Sequence, residues 1–134
     1  EVIAPCPGPE PGASLNDNSL VLRVTIGRRT LLLMGDVERG TEGHLLARHT
    51  ALRADVLKVG HHGSRTSTTP EFVAAVRPRY ALISAGPGNR FGHPHGETLR
   101  TLRSGRARVL RTDVGGSLRV RTDGRTLEAR AFVR

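Results

Sequence analysis

The sequence predicts an α/β domain with a mixed sheet and flanking helices. Short apolar runs of strand type alternate with helical segments from about residue 20 to residue 111, which is typical of layered α/β architecture. Hairpin patterns occur on either side of this alternating region, where they indicate antiparallel strands. The sheet is therefore expected to contain both parallel and antiparallel pairs.

The chain opens on a segment with the composition of a linker. Its prolines between residues 5 and 11 alternate with small residues, so we expect residues 1–14 to be an extended or disordered linker. The domain then covers residues 15–134. Its first strand is predicted over Leu20–Ile26, a tight turn over residues 27–29, and the hairpin partner over Thr30–Met34.

Helices and strands alternate after this hairpin. Proline is tolerated in the first turn of a helix, so Pro70 and Pro94 are interpreted as helix starts. In the first helix, Leu45 and Leu46 are expected to face the core. The helices are predicted over Val37–Thr50, Pro70–Val76 and His95–Ser104, and the strands over Ala54–Val59, Arg79–Ser84 and Ala107–Arg111.

A second hairpin is predicted at the end of the chain. Ser117–Thr122 and Thr126–Val133 flank the dipeptide Asp123-Gly124, which is favoured in tight hairpin turns. We expect this hairpin to close an edge of the sheet.

Composition limits the kinds of partner and site. The net charge of +9 comes from 20 Arg and one Lys against 12 carboxylates, and it favours phosphate-bearing partners. These charges are dispersed along the chain, and 3% aromatic residues argue against a base-stacking platform. The single cysteine, Cys6, excludes an internal disulfide and a cysteine-based zinc site. No apolar run approaches the roughly 18 residues of a membrane span.

Two strand ends carry side chains that bind metals. Asp36 follows a strand that ends at Gly35, and His61 follows a strand that ends at Gly60. Ligand sites on sheets are commonly built at such ends, and zinc, manganese and iron all accept a carboxylate and a neutral imidazole. Taken singly, an aspartate after glycine is more often a turn former, and a histidine pair usually lies in a solvated loop. Together they predict part of a metal site.

Four segments in order resemble the metallo-β-lactamase-like domain of ComEC proteins, the DNA-uptake channels of bacterial competence. The resemblance runs from about residue 14 to the end of the chain. The segments are NDNSLVL at 16–22, MGD at 34–36, LKVGHHGSRTS at 57–67 and GNRFGHPH at 88–95.

The resemblance implies both a fold and an activity. The fold would be the C-terminal half of a metallo-β-lactamase-type αββα sandwich. The activity would be two-metal phosphodiester hydrolysis of the DNA strand that is not imported, with zinc or manganese as the divalent metal, two per intact site. Implied partners are single-stranded DNA and the membrane channel of the same parent protein. The implied location is the outer face of the cytoplasmic membrane.

The resemblance also implies roles for individual residues. Asp36 corresponds to the metal-bridging carboxylate, and His61 to the histidine that completes the second metal's ligands. His62 would orient the loop or meet the substrate. Adjacent histidines in an extended turn tend to point apart, so we expect only one of the two, His61, to bind the metal. His93 would lie at the rim of the metal site, where it would hydrogen-bond the phosphate or protonate the leaving oxygen. The alternative for His93 is a cap of the helix next to Pro94.

Substrate contacts are implied at four further positions. Ser64 would present its N–H and hydroxyl to a phosphate, and Arg65 would add a charged contact. The alternative for Ser64 and its hydroxyl neighbours is a helix-capping loop before Pro70. Asn18 and Asn89 would shape the rim, although asparagine in loops is ordinarily a turn residue.

The chain departs from the family in two respects. It contains neither the upstream His-x-His-x-Asp-His motif nor the further histidine before the carboxylate strand, and HPHGE at 93–97 lacks the motif's Asp-His pair and lies after Asp36. We therefore expect the isolated chain to be inactive, to bind metal weakly or not at all, and to dimerise through an exposed sheet edge. Two other hypotheses are a non-catalytic DNA- or partner-binding module with a vestigial metal site, and a metallo-hydrolase acting on another phosphoester.

Overall fold

A six-stranded mixed sheet organises the residues that this computed structural model describes, which are 1–5, 8–48 and 51–132. The strands of the sheet are β1 Val2–Ala4, β2 Val21–Ile26, β3 Arg29–Leu33, β4 Val56–Lys58, β5 Tyr80–Ile83 and β6 Arg108–Arg111. The helices are α1 Arg39–Ala47, α2 Pro70–Val76, α3 Gly96–Ser104 and the single turn α4 Thr112–Gly115. A separate hairpin consists of β7 Ser117–Thr122 and β8 Leu127–Phe132.

The strands lie in the sheet in chain order. β1, β2 and β3 are antiparallel neighbours, whereas β3, β4, β5 and β6 are parallel neighbours. Helices α1, α2 and α3 each connect two of the parallel strands, and right-handed crossovers in one direction place such helices on one face. The predicted α/β class with a mixed sheet is confirmed.

Side chains alternate between the two faces of the sheet. On one face, residues such as Leu32, Leu57 and Ala81 share a core with Phe72 of α2 and Leu102 of α3. The intervening strand residues form a second, smaller core against the hairpin, consisting of Val56, Tyr80, Leu127 and Ala129 with Leu31, Leu82, Leu110 and Val120 beside them. The sheet is thus covered by helices on one side and partly by the hairpin on the other.

The terminal hairpin covers a face of the sheet instead of closing its edge. Leu127 and Ala129 of β8 are buried against the parallel strands, so the alternation of β8 directs its apolar side chains onto the sheet. At its turn, the N–H of Arg28 donates to Gly124 O over 2.7 Å, which joins this hairpin to the β2–β3 turn. The edge-closing prediction was wrong because these apolar residues are buried more fully on a face than at an edge.

The proline-rich start differs from the expected linker. Val2–Ala4 forms β1, which pairs with β2, and Ile3 and Ala4 are buried. Pro5 lacks an N–H and ends the ladder there. Farther along, the N–H of Glu10 donates to the Asn18 side chain, so this stretch is also attached to the domain.

Helix boundaries agree with the prediction for α2 and differ elsewhere. Pro70 opens α2 as predicted, and the Thr69 hydroxyl caps it by accepting the N–H of Phe72. α1 begins at Arg39 instead of residue 37, and predicted helical residues 49 and 50 lie outside the described residues. α3 begins at Gly96 with His95 as its N-cap, so Pro94 precedes the helix and His93 is not its cap.

The sheet exposes apolar side chains beside the hairpin. Val2, Val24 and Ile26 are 48%, 36% and 42% exposed, and their register places them on the face that the hairpin covers only in part. Dimerisation of the isolated chain stays a prediction. None of the helices in the described part of the chain has the length and apolar character needed to cross a membrane.

Replacing Phe72 tests the helix-side core. Phe72 is 1% exposed, so Phe72→Ala should lower the free energy of unfolding by about 3–5 kcal/mol through lost burial and a cavity. Phe91 is 62% exposed and provides the matched control, for which Phe91→Ala should change stability by no more than about 0.5 kcal/mol. Urea unfolding measures both. Equal effects of the two substitutions would contradict the assigned core.

Candidate functional site at the strand ends

The carboxyl ends of the parallel strands bring the candidate residues together. Asp36 follows β3, the short helical turn Gly60–Gly63 follows β4, and the loop carrying His93 follows β5. The N–H of His61 donates to Gly35 O over 3.1 Å, which joins the first two segments directly. The predicted placement of Asp36 and His61 after neighbouring parallel strands is confirmed, and their binding of a metal stays a prediction.

His61 and His62 occupy an unusual backbone conformation. Both have positive φ, 44° for His61 and 54° for His62, so their turn is left-handed and not extended as assumed. Such a conformation costs about 1–3 kcal/mol for a non-glycine residue and persists where surrounding contacts impose it. Their ring centroids are 6.4 Å apart with planes inclined by 66°, so the two side chains have different neighbours.

His62 is the histidine that lies beside Asp36. Its Nδ1–H donates to Ser84 O over 2.7 Å, which leaves Nε2 as the unprotonated nitrogen of the neutral ring. That Nε2 lies 3.4 Å from Asp36 Oδ1. A lone pair and a carboxylate oxygen repel each other unless a cation, either a proton or a metal ion, lies between them.

The Asp36–His62 pair fits two ligand positions of a divalent metal. Ligand atoms about 2.1 Å from a tetrahedral zinc ion are separated by about 3.4 Å, which matches the observed distance. The hydrogen bond from His62 Nδ1 to a carbonyl is also the usual means of orienting a metal-binding imidazole. Within the described ranges, however, no group of three or more His, Cys, Asp or Glu side chains is arranged to hold a metal.

His61 has a different set of contacts. Its Nδ1–H donates to Glu38 Oε1 over 3.0 Å, and the Thr66 hydroxyl donates to the same oxygen over 2.7 Å. The carboxylate orients the ring, and in the neutral imidazole this hydrogen bond makes Nε2 the nitrogen without a proton. His61 thus retains a nitrogen for a ligand, but the direct neighbour of Asp36 is His62, which differs from the expected preference for His61.

His93 completes a cluster of imidazoles. Its ring centroid is 5.6 Å from that of His61 and 4.9 Å from that of His95, and Phe91 stacks on it at 5.8 Å. Burial lowers the pKa of His93, and the neighbouring His95, His61, His62 and Arg65 lower it further. The neutral imidazole is therefore the favoured form of His93.

A hydrogen bond and close packing hold the loop that carries His93 against the His61-His62 turn. The N–H of His95 donates to Gly63 O over 3.0 Å, and a Cβ added to Gly63 would lie 2.6 Å from Pro94 Cβ. Gly63 has φ of 82°, so glycine is required there by both backbone conformation and space. This contact fixes the positions of the two histidine segments relative to each other.

Ser64 and Arg65 differ in their availability to a substrate. Ser64 is buried, its N–H donates to His61 O, and its hydroxyl lies 3.0 Å from that of Thr66. These contacts favour the structural-loop alternative, although the helix cap itself is Thr69. Arg65 is exposed, and its backbone N–H donates to His95 Nδ1 over 3.2 Å.

Asn18 and Asn89 use their side chains within the fold. The Asn18 amide pairs with the backbone of Glu10, accepting its N–H and donating to its carbonyl. Asn89 donates to the carbonyls of Gly86 and His93 and accepts the N–H of His93. Both contacts agree with the turn alternative, and Asn89 shapes the rim only by holding the loop of His93.

Several supporting residues were not anticipated. Asp17 accepts the N–H groups of Glu38 and Thr41, and although burial raises its pKa, these hydrogen bonds lower it overall. The buried Glu42 accepts the N–H groups of Thr68 and Thr69, and burial raises its pKa. Glu38, which orients His61, was not anticipated either. The only sequence signal for Asp17 was its place within the NDNSLVL segment, and the only signal for Glu38 was its place two residues after Asp36.

Lys58 is a further charged neighbour of the site. Burial lowers the pKa of its amine, while the charge of Asp36 opposes this effect. Its Nζ donates to Val59 O over 2.8 Å, so this single lysine is held at the end of β4.

Comparison with known proteins identifies similar segments in competence-related proteins. The chain is 44% identical over 117 residues to ComE operon protein 3 of Bacillus subtilis, covering 87% of this chain and 15% of that protein. It is 39% identical over 104 residues to competence protein ComA of Neisseria gonorrhoeae, covering 77% of the chain and 15% of ComA. It is 41% identical over 105 residues to recombination protein 2 of Haemophilus influenzae, covering 78% of the chain and 13% of that protein.

The chain therefore spans about 15% or less of the length of these relatives. No protein-family model matches it. The resemblance to competence proteins is supported by these homologues at 39–44% identity, and the metallo-β-lactamase-like character stays a prediction.

Substitution of Gly63 tests the contact between the histidine segments. Gly63→Ala should lower the free energy of unfolding by about 1–3 kcal/mol, because the new Cβ meets Pro94 and the backbone is strained. It should also shift the NMR signals of the His62 and His95 rings. Gly43→Ala is the control, because Gly43 lies in α1 with open space around it. This substitution should raise the free energy of unfolding by about 0.4–1 kcal/mol. If Gly63→Ala left the free energy of unfolding unchanged, the assigned contact between Gly63 and Pro94 would be contradicted.

Proposed function

We propose that this chain is part of a competence-type DNA-uptake protein and that its strand-end site takes part in metal-dependent hydrolysis of phosphodiester bonds in the strand that is not imported. The observation that carries the proposal is the Asp36–His62 pair, whose Nε2 and Oδ1 atoms are 3.4 Å apart. The similarity to competence and recombination proteins supports DNA as the substrate.

The donor set suits zinc or manganese. Asp36 and His62 would hold a metal directly, and His61, oriented by Glu38, would offer its Nε2 to a second one. Two bound metal ions would supply a hydroxide nucleophile at neutral pH and positive charge for the phosphate oxygens. The further ligands of a complete site would come from outside the described residues.

The surrounding residues would bind and orient the phosphate. Arg65 is exposed beside His95 and would contact a phosphate oxygen through its guanidinium. The lowered pKa of His93 makes it better suited to accept a proton or hydrogen-bond the phosphate than to protonate the leaving oxygen. Phe91 is exposed on the same loop, where it offers an aromatic ring to an unpaired base.

The remaining features of the proposal concern the whole protein. We infer a membrane channel within the same parent protein as the partner of this domain, and a position on the outer face of the cytoplasmic membrane. A homodimer through an exposed sheet edge is the expected state of the isolated chain. Light scattering tests the dimer, and a clean monomer at high concentration would contradict it.

A second candidate function is a non-catalytic module that binds DNA or a partner and retains a vestigial metal site. The observation that favours it is the net charge of +9, which attracts a phosphate backbone without any chemistry. The two functions predict the same affinity for DNA and different effects of changing the strand-end residues.

Substitution in the complete gene product separates the two functions. Asp36→Asn and His62→Gln should each reduce manganese- or zinc-dependent nuclease activity by about 100-fold or more, because each removes a metal ligand and Asp36→Asn also removes a negative charge. His61→Gln compares the two adjacent histidines in the same assay. Activity is measured on a labelled single-stranded oligonucleotide, together with the bound metal content.

Matched substitutions control for general damage to the fold. Glu71→Gln removes an exposed carboxylate from α2, and His44→Gln removes an exposed imidazole from α1. Both should retain activity and metal. Unchanged nuclease activity and unchanged DNA uptake in Asp36→Asn would overturn the hydrolase proposal and support the binding module.

A further inference from the structure

We propose that a cavity at the amino ends of the parallel strands binds the phosphate groups of a single nucleic-acid strand. The cavity has a volume of about 460 Å³ and lies at the opposite end of the strands from Asp36. Six of the 20 arginines line it: Arg23, Arg28, Arg29, Arg53, Arg77 and Arg79.

Strand register brings these separated residues together. The N–H of Asp55 donates to Thr30 O over 2.8 Å, and the N–H of Arg79 donates to Asp55 O over 2.9 Å. The segments that precede β3, β4 and β5 therefore lie side by side, at the strand spacing of about 4.8 Å. Arginines that are dispersed along the sequence converge in this way on one concave surface.

Most of this positive charge lacks a carboxylate partner. Among the described residues that line the cavity, Asp55 is the single carboxylate, and its oxygens accept from Arg29 Nη1 and from the Thr30 N–H. For Arg28 and Arg53, the structure shows no side-chain hydrogen bond or ion pair within residues 1–5, 8–48 and 51–132. Crowded guanidinium groups repel one another, and bound phosphates would relieve that repulsion.

The character of the lining favours a nucleic acid over a membrane surface. Guanidinium groups match phosphate oxygens in a bidentate manner, and the concave shape suits a polymer strand. Proteins that bind at a bilayer surface insert large apolar side chains, whereas the non-arginine residues of this cavity are Thr30, Ala54 and Asp55. The choice of a nucleic acid as ligand rests on the proposed function, but the binding itself needs no metal and no hydrolysis.

Fluorescence anisotropy with a labelled oligothymidylate in EDTA tests the site. The double variant Arg28→Gln, Arg53→Gln should raise Kd about tenfold near physiological salt and reduce the slope of log K against log salt by about 1.4, since two phosphate contacts are lost. Both side chains are exposed, so the fold should persist, which circular dichroism and thermal unfolding check.

The control has the same change in net charge at a different surface. Arg103→Gln, Arg106→Gln alters two exposed arginines at and beyond the end of α3 and should change Kd by less than about threefold. The proposal would be overturned if the two double variants lost equal affinity for the oligonucleotide, or if the cavity double variant lost none. It would also be overturned if the cavity double bound phosphatidylglycerol vesicles less well than the unchanged chain but kept its oligonucleotide affinity.

These outcomes are independent of the strand-end chemistry. Loss of binding only in the cavity double leaves the hydrolase proposal intact, and loss of hydrolysis only in Asp36→Asn leaves the cavity proposal intact.

Discussion

Parallel pairing of β3, β4 and β5 is the constraint on which the rest of the structure depends. The register aligns Leu33, Lys58 and Leu82 across three neighbouring strands, so the segments after them must emerge side by side. Three parts of the chain that are far apart in sequence thereby meet within hydrogen-bonding distance. The same register aligns the preceding segments at the other end, where it gathers the arginines. One pairing pattern therefore assembles both the strand-end cluster and the arginine-lined cavity.

The strand-end site also depends on a strained turn held by its neighbours. Two successive residues with positive φ, His61 and His62, would relax unless other contacts opposed it. Those contacts are the hydrogen bonds from His61 to Glu38 and from His62 to Ser84, together with the packing of Pro94 against Gly63. These three sets of contacts hold both imidazole rings in fixed directions.

The sequence was sufficient to predict β2 to β8 to within one or two residues, because period and turn residues are local signals. Asp36 and His61 were placed correctly after neighbouring strands for that reason. The pairing of Asp36 with His62 was not predictable, since it depends on left-handed φ values that the sequence does not reveal at a non-glycine pair. The roles of Glu42 and Asp17 were missed because each accepts N–H groups from segments more than 20 residues away. Strand β1 was missed because the prolines at residues 5–11 led us to assign the whole start of the chain to a linker, although Val2–Ala4 are apolar.

The distance between the two ends of the sheet determines how they could act on one strand. From Thr30 to Asp36 the chain advances six residues, or about 20 Å in extended form. A nucleic acid held at the arginines would have to run several nucleotides along the protein before a phosphate reached His62. Changes at the arginine cavity should therefore alter how long a strand stays bound, whereas under the proposed function changes at Asp36 should alter the hydrolysis of a strand already bound. Short oligonucleotides that cannot reach both ends would lose the contribution of the cavity while keeping that of the strand-end site, so the benefit of the arginines should grow with the length of the strand.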